Sequence, residues 1–139
     1  MSGEPLTTED KQALVETMMR INLTDEFADK HPAKFKAIVQ ANLKWKRPAK
    51  GIAMQVAAIG GHDTAESLPK IAQTTLIVHG DEDGTLVWQN APLLRTLIPN
   101  SRMLIEPSIG HCFWMMDDGL SAHAIRAFLI EGDLLLGKL

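Results

Sequence analysis

The stretch Thr74-Thr75-Leu76-Ile77-Val78 constrains the fold more than any other part of the chain. It is short, apolar and β-branched, shows no alternation with polar residues, and is stopped by Gly80. Such a run is expected of a parallel strand with cover on both faces and strands on both sides. A parallel neighbour requires a crossover, normally a helix, and the next residues supply one. Val87 to Leu97 has helical spacing through Leu93, Leu94 and Leu97, and Pro99-Asn100 closes the turn. Arg102-Met103-Leu104-Ile105 then reads as a second strand. Asp117-Asp118 opens a last helix, with Ile125, Phe128 and Leu129 expected to face inward. Strand, helix, strand, helix at this spacing predicts a right-handed α/β unit of βαβα form.

The residues before that unit read as helix. Thr8-Glu9-Asp10 opens a segment to about Leu23, in which Leu14, Met18 and Ile21 follow helical spacing. Thr24 is a candidate N-cap for a second helix, with Asp25 and Glu26 in its first turn. His31-Pro32 punctuates the chain, and Phe35, Ile38, Val39 and Leu43 form the next apolar stripe. Lys44-Trp45-Lys46-Arg47-Pro48 ends it with basic residues at the helix's negative pole. A further helix is predicted over Ile52 to Ile59, broken by Gly60-Gly61. The chain thus divides into a helical segment, 1–60, and an α/β segment, 61–139.

Composition excludes several classes. With 45% hydrophobic residues, 22% charged residues and a net charge of -3, the 139 residues are neither a disordered chain nor a general nucleic-acid binder. No apolar run approaches the ~18 residues of a membrane span. Met1 to Asp10 carries no apolar signal core, so a cytoplasmic location is the default expectation. A single cysteine, Cys112, excludes an internal disulfide framework and any CxxC pattern.

Chemistry in open α/β sheets gathers beyond the carboxyl ends of the strands. The first strand runs into His79-Gly80-Asp81-Glu82-Asp83-Gly84, and the second into Glu106-Pro107-Ser108-Ile109-Gly110-His111. Neighbouring strands would set an acidic loop beside a histidine loop. A carboxylate that accepts from His Nδ1–H fixes the tautomer and leaves Nε2 as general base. The residues alone leave a plainer alternative open, in which Asp and Gly build turns and His111 is an ordinary loop residue.

Thr75 to Asp83, followed by Pro99 to His111, resembles the C-terminal part of an α/β-hydrolase-fold enzyme. That family's acid sits three residues after the strand-ending glycine, which maps onto Asp83. Its base follows a small residue after the last strand, which maps onto His111. The helices through Gln55-Val56-Ala57-Ala58-Ile59 resemble the cap that roofs such sites. The resemblance implies an α/β-hydrolase-like partial fold, a helical cap followed by the βαβα unit. It implies an esterase- or lipase-like serine hydrolase without a cofactor. Met18, Met19, Phe27 and Trp45, placed within reach of the cap's inner face, would favour a hydrophobic, ester-like small molecule.

The departure from that family is equally informative. No Gly-x-Ser-x-Gly turn occurs in these residues, nor any HGGG-like oxyanion loop. The serine and the oxyanion donors are therefore expected on an N-terminal hydrolase portion, and the chain alone should be inactive. That portion, or a second copy of the chain, would cover the open sheet edge. The alternative is a shortened, non-catalytic relative that binds a ligand or partner.

Other residues read more plainly. Asp81 and Glu82 are loop carboxylates, with Asp81 the rival for the acid role. The Asp81-x-Asp83 spacing is not a calcium loop, because Leu86 replaces the required glycine and Pro92 the terminal glutamate. Cys112 adjoins His111, but adjacent residues of an extended segment point apart, so a packed thiol is expected. Lys44 to Arg47 is a solvated helix end. His31, His62, His79 and His123 lack ligand spacing, so no metal is assigned.

Overall fold

The computed structural model describes residues 7–45, 48–116 and 119–131. Helix α1, Thr8–Leu23, starts at a capping box: the Thr7 hydroxyl accepts from the Asp10 N–H at 3.1 Å, and the Asp10 carboxylate accepts from the Thr7 N–H at 2.9 Å. Its end is abrupt. Thr24 adopts φ 79°, an uncommon conformation for a β-branched residue, and its hydroxyl accepts from the Phe27 N–H to start α2, Asp25–Lys30. One residue therefore ends one helix and caps the next. Pro32 opens α3, Pro32–Leu43, where its missing N–H costs nothing.

These three helices share one core. Leu23 and Val39 are fully buried, and Met19, Phe27, Ala28 and Phe35 surround them. Met19 and Phe27, expected on an inner cap surface, are thus committed to holding the helices together. Met18 and Trp45 are exposed. Helix α4, Ala49–Gly60, begins earlier than its apolar pattern predicts and buries no residue. Lys46 and Arg47 lie outside the described residues.

The sheet consists, among the described residues, of β1, Thr75–Gly80, and β2, Ser101–Glu106, paired in parallel from Thr75↔Ser101 to Gly80↔Glu106. The ladder draws in His79 and Gly80, which the sequence reading placed in the loop. Helix α5, Asn90–Leu97, connects the strands and starts later than the expected Val87. The physical reason is Pro92, which has no N–H to donate and is tolerated only in a first turn. A short helix α6, Phe113–Met116, was not anticipated. The last helix, α7, is described over Leu120–Glu131; the expected start at Asp117-Asp118 lies outside the described residues. Its inward face is Ser121, Ala124 and Ala127, with Ile125 and Phe128 half-buried beside them. Leu129, expected inside, is 74% exposed, because the small residues take the close side of the helix. Ile77, Ala91 and Ile98 complete the core around the sheet. No described helix is long and apolar enough to cross a membrane.

Candidate active site

The parallel register sets the two strand ends side by side, and the loops beyond them interlock. A Cβ on Gly80 would stand 2.0 Å from the Ile109 carbonyl oxygen, so only glycine lets the loops approach this closely. The Asp81 N–H donates to the Glu106 carbonyl and the Glu82 N–H to the Ile109 carbonyl, each at 3.0 Å. The Asp81 carboxylate accepts from the Ser108 N–H at 2.7 Å. Asp81 therefore fastens one loop to the other. Below it, the buried Glu106 side chain accepts from the Ser121 hydroxyl, tying the end of β2 to α7.

Asp83 is held differently. One carboxylate oxygen, Oδ1, accepts from the Thr85 and Leu86 N–H groups, both at 2.8 Å. The other, Oδ2, lies 2.8 Å from His111 Nδ1, and a ring nitrogen this close to a carboxylate donates. The Asp83 side chain is only 4% exposed. Burial pushes its carboxyl upward, but the Leu86 N–H, His111 and the Thr85 N–H outweigh it and hold the group below the usual carboxylate range. The acid stays ionised at neutral pH. With Nδ1 engaged, Nε2 is the ring nitrogen left for proton transfer, and the His111 side chain is 32% exposed. The structure thus brings Asp83 to His111 and leaves Asp81 on the loop backbone.

His79 also reaches this carboxylate, with Nε2 3.7 Å from Asp83 Oδ2 and Nδ1 2.9 Å from the Gly80 carbonyl. Metal-ligand spacing gave no reason to single it out. Its position four residues before Asp83, at the end of a strand, is the signal that places it there. Cys112 turns away into the helical layer, packed against the α1–α3 core. Burial, and then the nearby Asp83 charge, push its thiol up, the opposite of what a nucleophilic cysteine needs. Among the described residues, no three His, Cys, Asp or Glu side chains gather as a metal site.

A cleft of about 510 Å³ opens beside His79 and Leu86, between the His62–Ala65 segment and the leucines of α5. His111 does not line it. Asp83 does not line it either, although its neighbours His79 and Leu86 do.

No family profile and no curated protein matches the chain. Among solved structures it is similar to a malate-bound thermophilic esterase from Thermogutta terrifontis, with 23% identity and a TM-score of 0.74. That match covers 91% of this chain and 46% of the esterase. An esterase from Exiguobacterium antarcticum matches with 20% identity and a TM-score of 0.63, over 91% of this chain and 49% of that one. A serine hydrolase from the polyaromatic-hydrocarbon-degrading bacterium Cycloclasticus zankles matches with 20% identity and a TM-score of 0.65, over 88% and 45%. The chain spans about half the length of these structures. The likeness shows the fold, a partial α/β-hydrolase fold built of helices and a small parallel sheet.

Proposed function

We propose that the chain is the C-terminal portion of a carboxylic-ester-type serine hydrolase, with Asp83 as orienting acid and His111 as general base. The observation that carries this reading is the 2.8 Å hydrogen bond between Asp83 Oδ2 and His111 Nδ1 at adjacent strand ends. Segment 1–60 is the cap, and 61–139 is the C-terminal part of the core. A serine on an N-terminal hydrolase portion is the nucleophile, since these residues contain no Gly-x-Ser-x-Gly turn.

In this scheme His111 Nε2 takes the serine proton as the oxygen attacks the ester carbonyl. The imidazolium so formed is stabilised by Asp83, which remains ionised. His111 then protonates the leaving alcohol, and in the second half-reaction it activates water against the acyl-enzyme. The serine portion also supplies the oxyanion donors. A hydrophobic, ester-like substrate fits the apolar surface that Ile52, Met54, Val56 and Ile59 of α4 present to solvent.

The test is complementation. Joined to a serine-bearing N-terminal portion of an esterase of this fold, the chain should restore aryl-ester hydrolysis, and His111→Ala should abolish it. Full activity in the His111→Ala complex would overturn the assignment of the base. A folded complex in which both versions are equally inactive would favour a non-catalytic binding protein.

A further inference from the structure

Among the described residues, the loops that carry Asp83 and His111 hydrogen-bond to the carboxyl end of α1. The Asn22 side-chain oxygen accepts from the Thr85 hydroxyl at 3.1 Å, and the Asn22 backbone carbonyl accepts from the Cys112 N–H at 3.0 Å. Thr85 is the residue whose N–H also holds Asp83 Oδ1, and Cys112 directly follows His111. Asn22 Nδ2 donates to the Met18 carbonyl at 2.6 Å, which anchors the side chain on its own helix. Both loops also lie against this helix end. A Cβ on Gly84 would stand 2.9 Å from the Ile21 carbonyl oxygen, and one on Gly110 would stand 2.7 Å from that of Asn22. Ile21 and Asn22 lie within one helical turn of Thr24, whose positive φ ends α1 at this point.

We propose that Asn22 is a positioning residue that holds the acid loop and the base loop at the separation the Asp83–His111 hydrogen bond requires. The inference deepens the proposed function and rests on its assignment of that pair. The helical layer is then more than a roof. Its first helix acts as a two-point clamp, one point on each loop, and each point favours the arrangement in which acid and base are in register. The interlocking of Asp81 with Ser108 ties the loops to each other near the strands. Asn22 ties them farther out, on the far side of Asp83 and His111 in sequence.

The test uses the full chain with ¹⁵N-labelled histidine and needs no catalysis. The wild-type His111 ring should carry a proton on Nδ1, shifted downfield by its bond to Asp83. Asn22→Ala and Thr85→Val should each shift the balance between seated and released ring by about 2- to 5-fold, the weight of one exposed neutral hydrogen bond. Thr85→Ser keeps the hydroxyl and should restore the wild-type signal. Circular dichroism checks that each variant retains the helical content of the wild type. An unchanged His111 signal in both folded variants would overturn the clamp, while loss of that signal in Asp83→Asn alone would leave the acid–base pair standing. If Asp83→Asn itself leaves the His111 signal unchanged, the pair fails and the clamp with it.

Discussion

At the carboxyl ends of the strands, Asp83 has one oxygen on two backbone N–H groups and the other on His111. Along its length, by contrast, β1 pairs among the described residues with β2 only. The same difference separates two helices of 12 residues each. Helix α3 buries Phe35 and Val39 in the helical core, whereas α4 buries nothing and exposes Ile52, Met54, Val56 and Ile59. Both oxygens of Asp83 and the core of α1–α3 thus find partners among the described residues, whereas β1 and α4 present an edge and an apolar surface. The pair proposed as acid and base is held within these residues, while an open strand edge and an exposed apolar helix face are features of an association surface.

The largest effect that sharpens this contrast is on turnover. In the complemented enzyme, Asp83→Asn should lower kcat by about 10⁴-fold, the loss seen when the triad carboxylate of a serine protease is replaced. Asp81→Asn should cost far less, because that carboxylate bonds the Ser108 backbone and not the imidazole. A severe loss in Asp81→Asn with a silent Asp83→Asn would reverse the two assignments.

Much of this was legible in the sequence because it follows from local rules. Thr24 as a cap, Pro32 at a helix start and the β-branched run before Gly80 each announce an element through backbone chemistry. The two loops were legible because strand ends fix where they emerge, whereas singling out Asp83 and His111 within them took the resemblance to a hydrolase. What escaped depends on contacts remote in sequence. Asn22 meets Thr85 across 63 positions, and nothing in its helical neighbourhood marks it. The inward choice of Ala124 and Ala127 over Leu129 is set by how closely α7 packs, which periodicity alone does not reveal. Pro92 did carry a signal for the late start of α5, since it bars the helix from running through it from Val87.

The next effect is on stability. Phe35→Ala, in the shared core of α1–α3, should destabilise the fold by about 3–5 kcal/mol in denaturant titration. Ile59→Ala, at a position 73% exposed on α4, should stay within about 0.5 kcal/mol in the lone chain. In the complemented enzyme the same substitution should raise KM for a hydrophobic aryl ester, since this face of α4 is the one proposed to meet the substrate. Equal losses from the two variants in the lone chain would break the distinction between finished and unfinished helices.

A smaller effect is on pH dependence. The folded Asp83 carboxyl titrates below its unfolded value of about 3.9, so its contribution to stability is fully present above that range. It should fade as pH falls through the lower folded value. In thermal melts between pH 7 and pH 3, the gap between wild type and Asp83→Asn should therefore narrow toward the acid end. A constant gap between the two would show that Asp83 is not ionised and bonded as described.

The smallest effect is on the thiol. Cys112 is packed against the helical core and its thiol is pushed up first by burial and then by the Asp83 charge. Alkylation by iodoacetamide at neutral pH should be slower than that of an unstructured cysteine peptide. Asp83→Asn should relieve only the second cause and speed the reaction modestly. Faster alkylation than the peptide would mark an activated cysteine and reopen its role.

The central claim is that the site is complete except for what a partner brings to β1. Amide hydrogen exchange across β1, read in the same samples as aryl-ester hydrolysis, tests it most directly. The amides of β1 that face away from β2 should exchange fast in the lone chain, which should hydrolyse no ester above a buffer blank. Adding the serine-bearing portion should slow that exchange and raise hydrolysis over the same concentration range. His111-dependent hydrolysis by the lone chain, or restored hydrolysis with β1 exchange unchanged, would contradict the account.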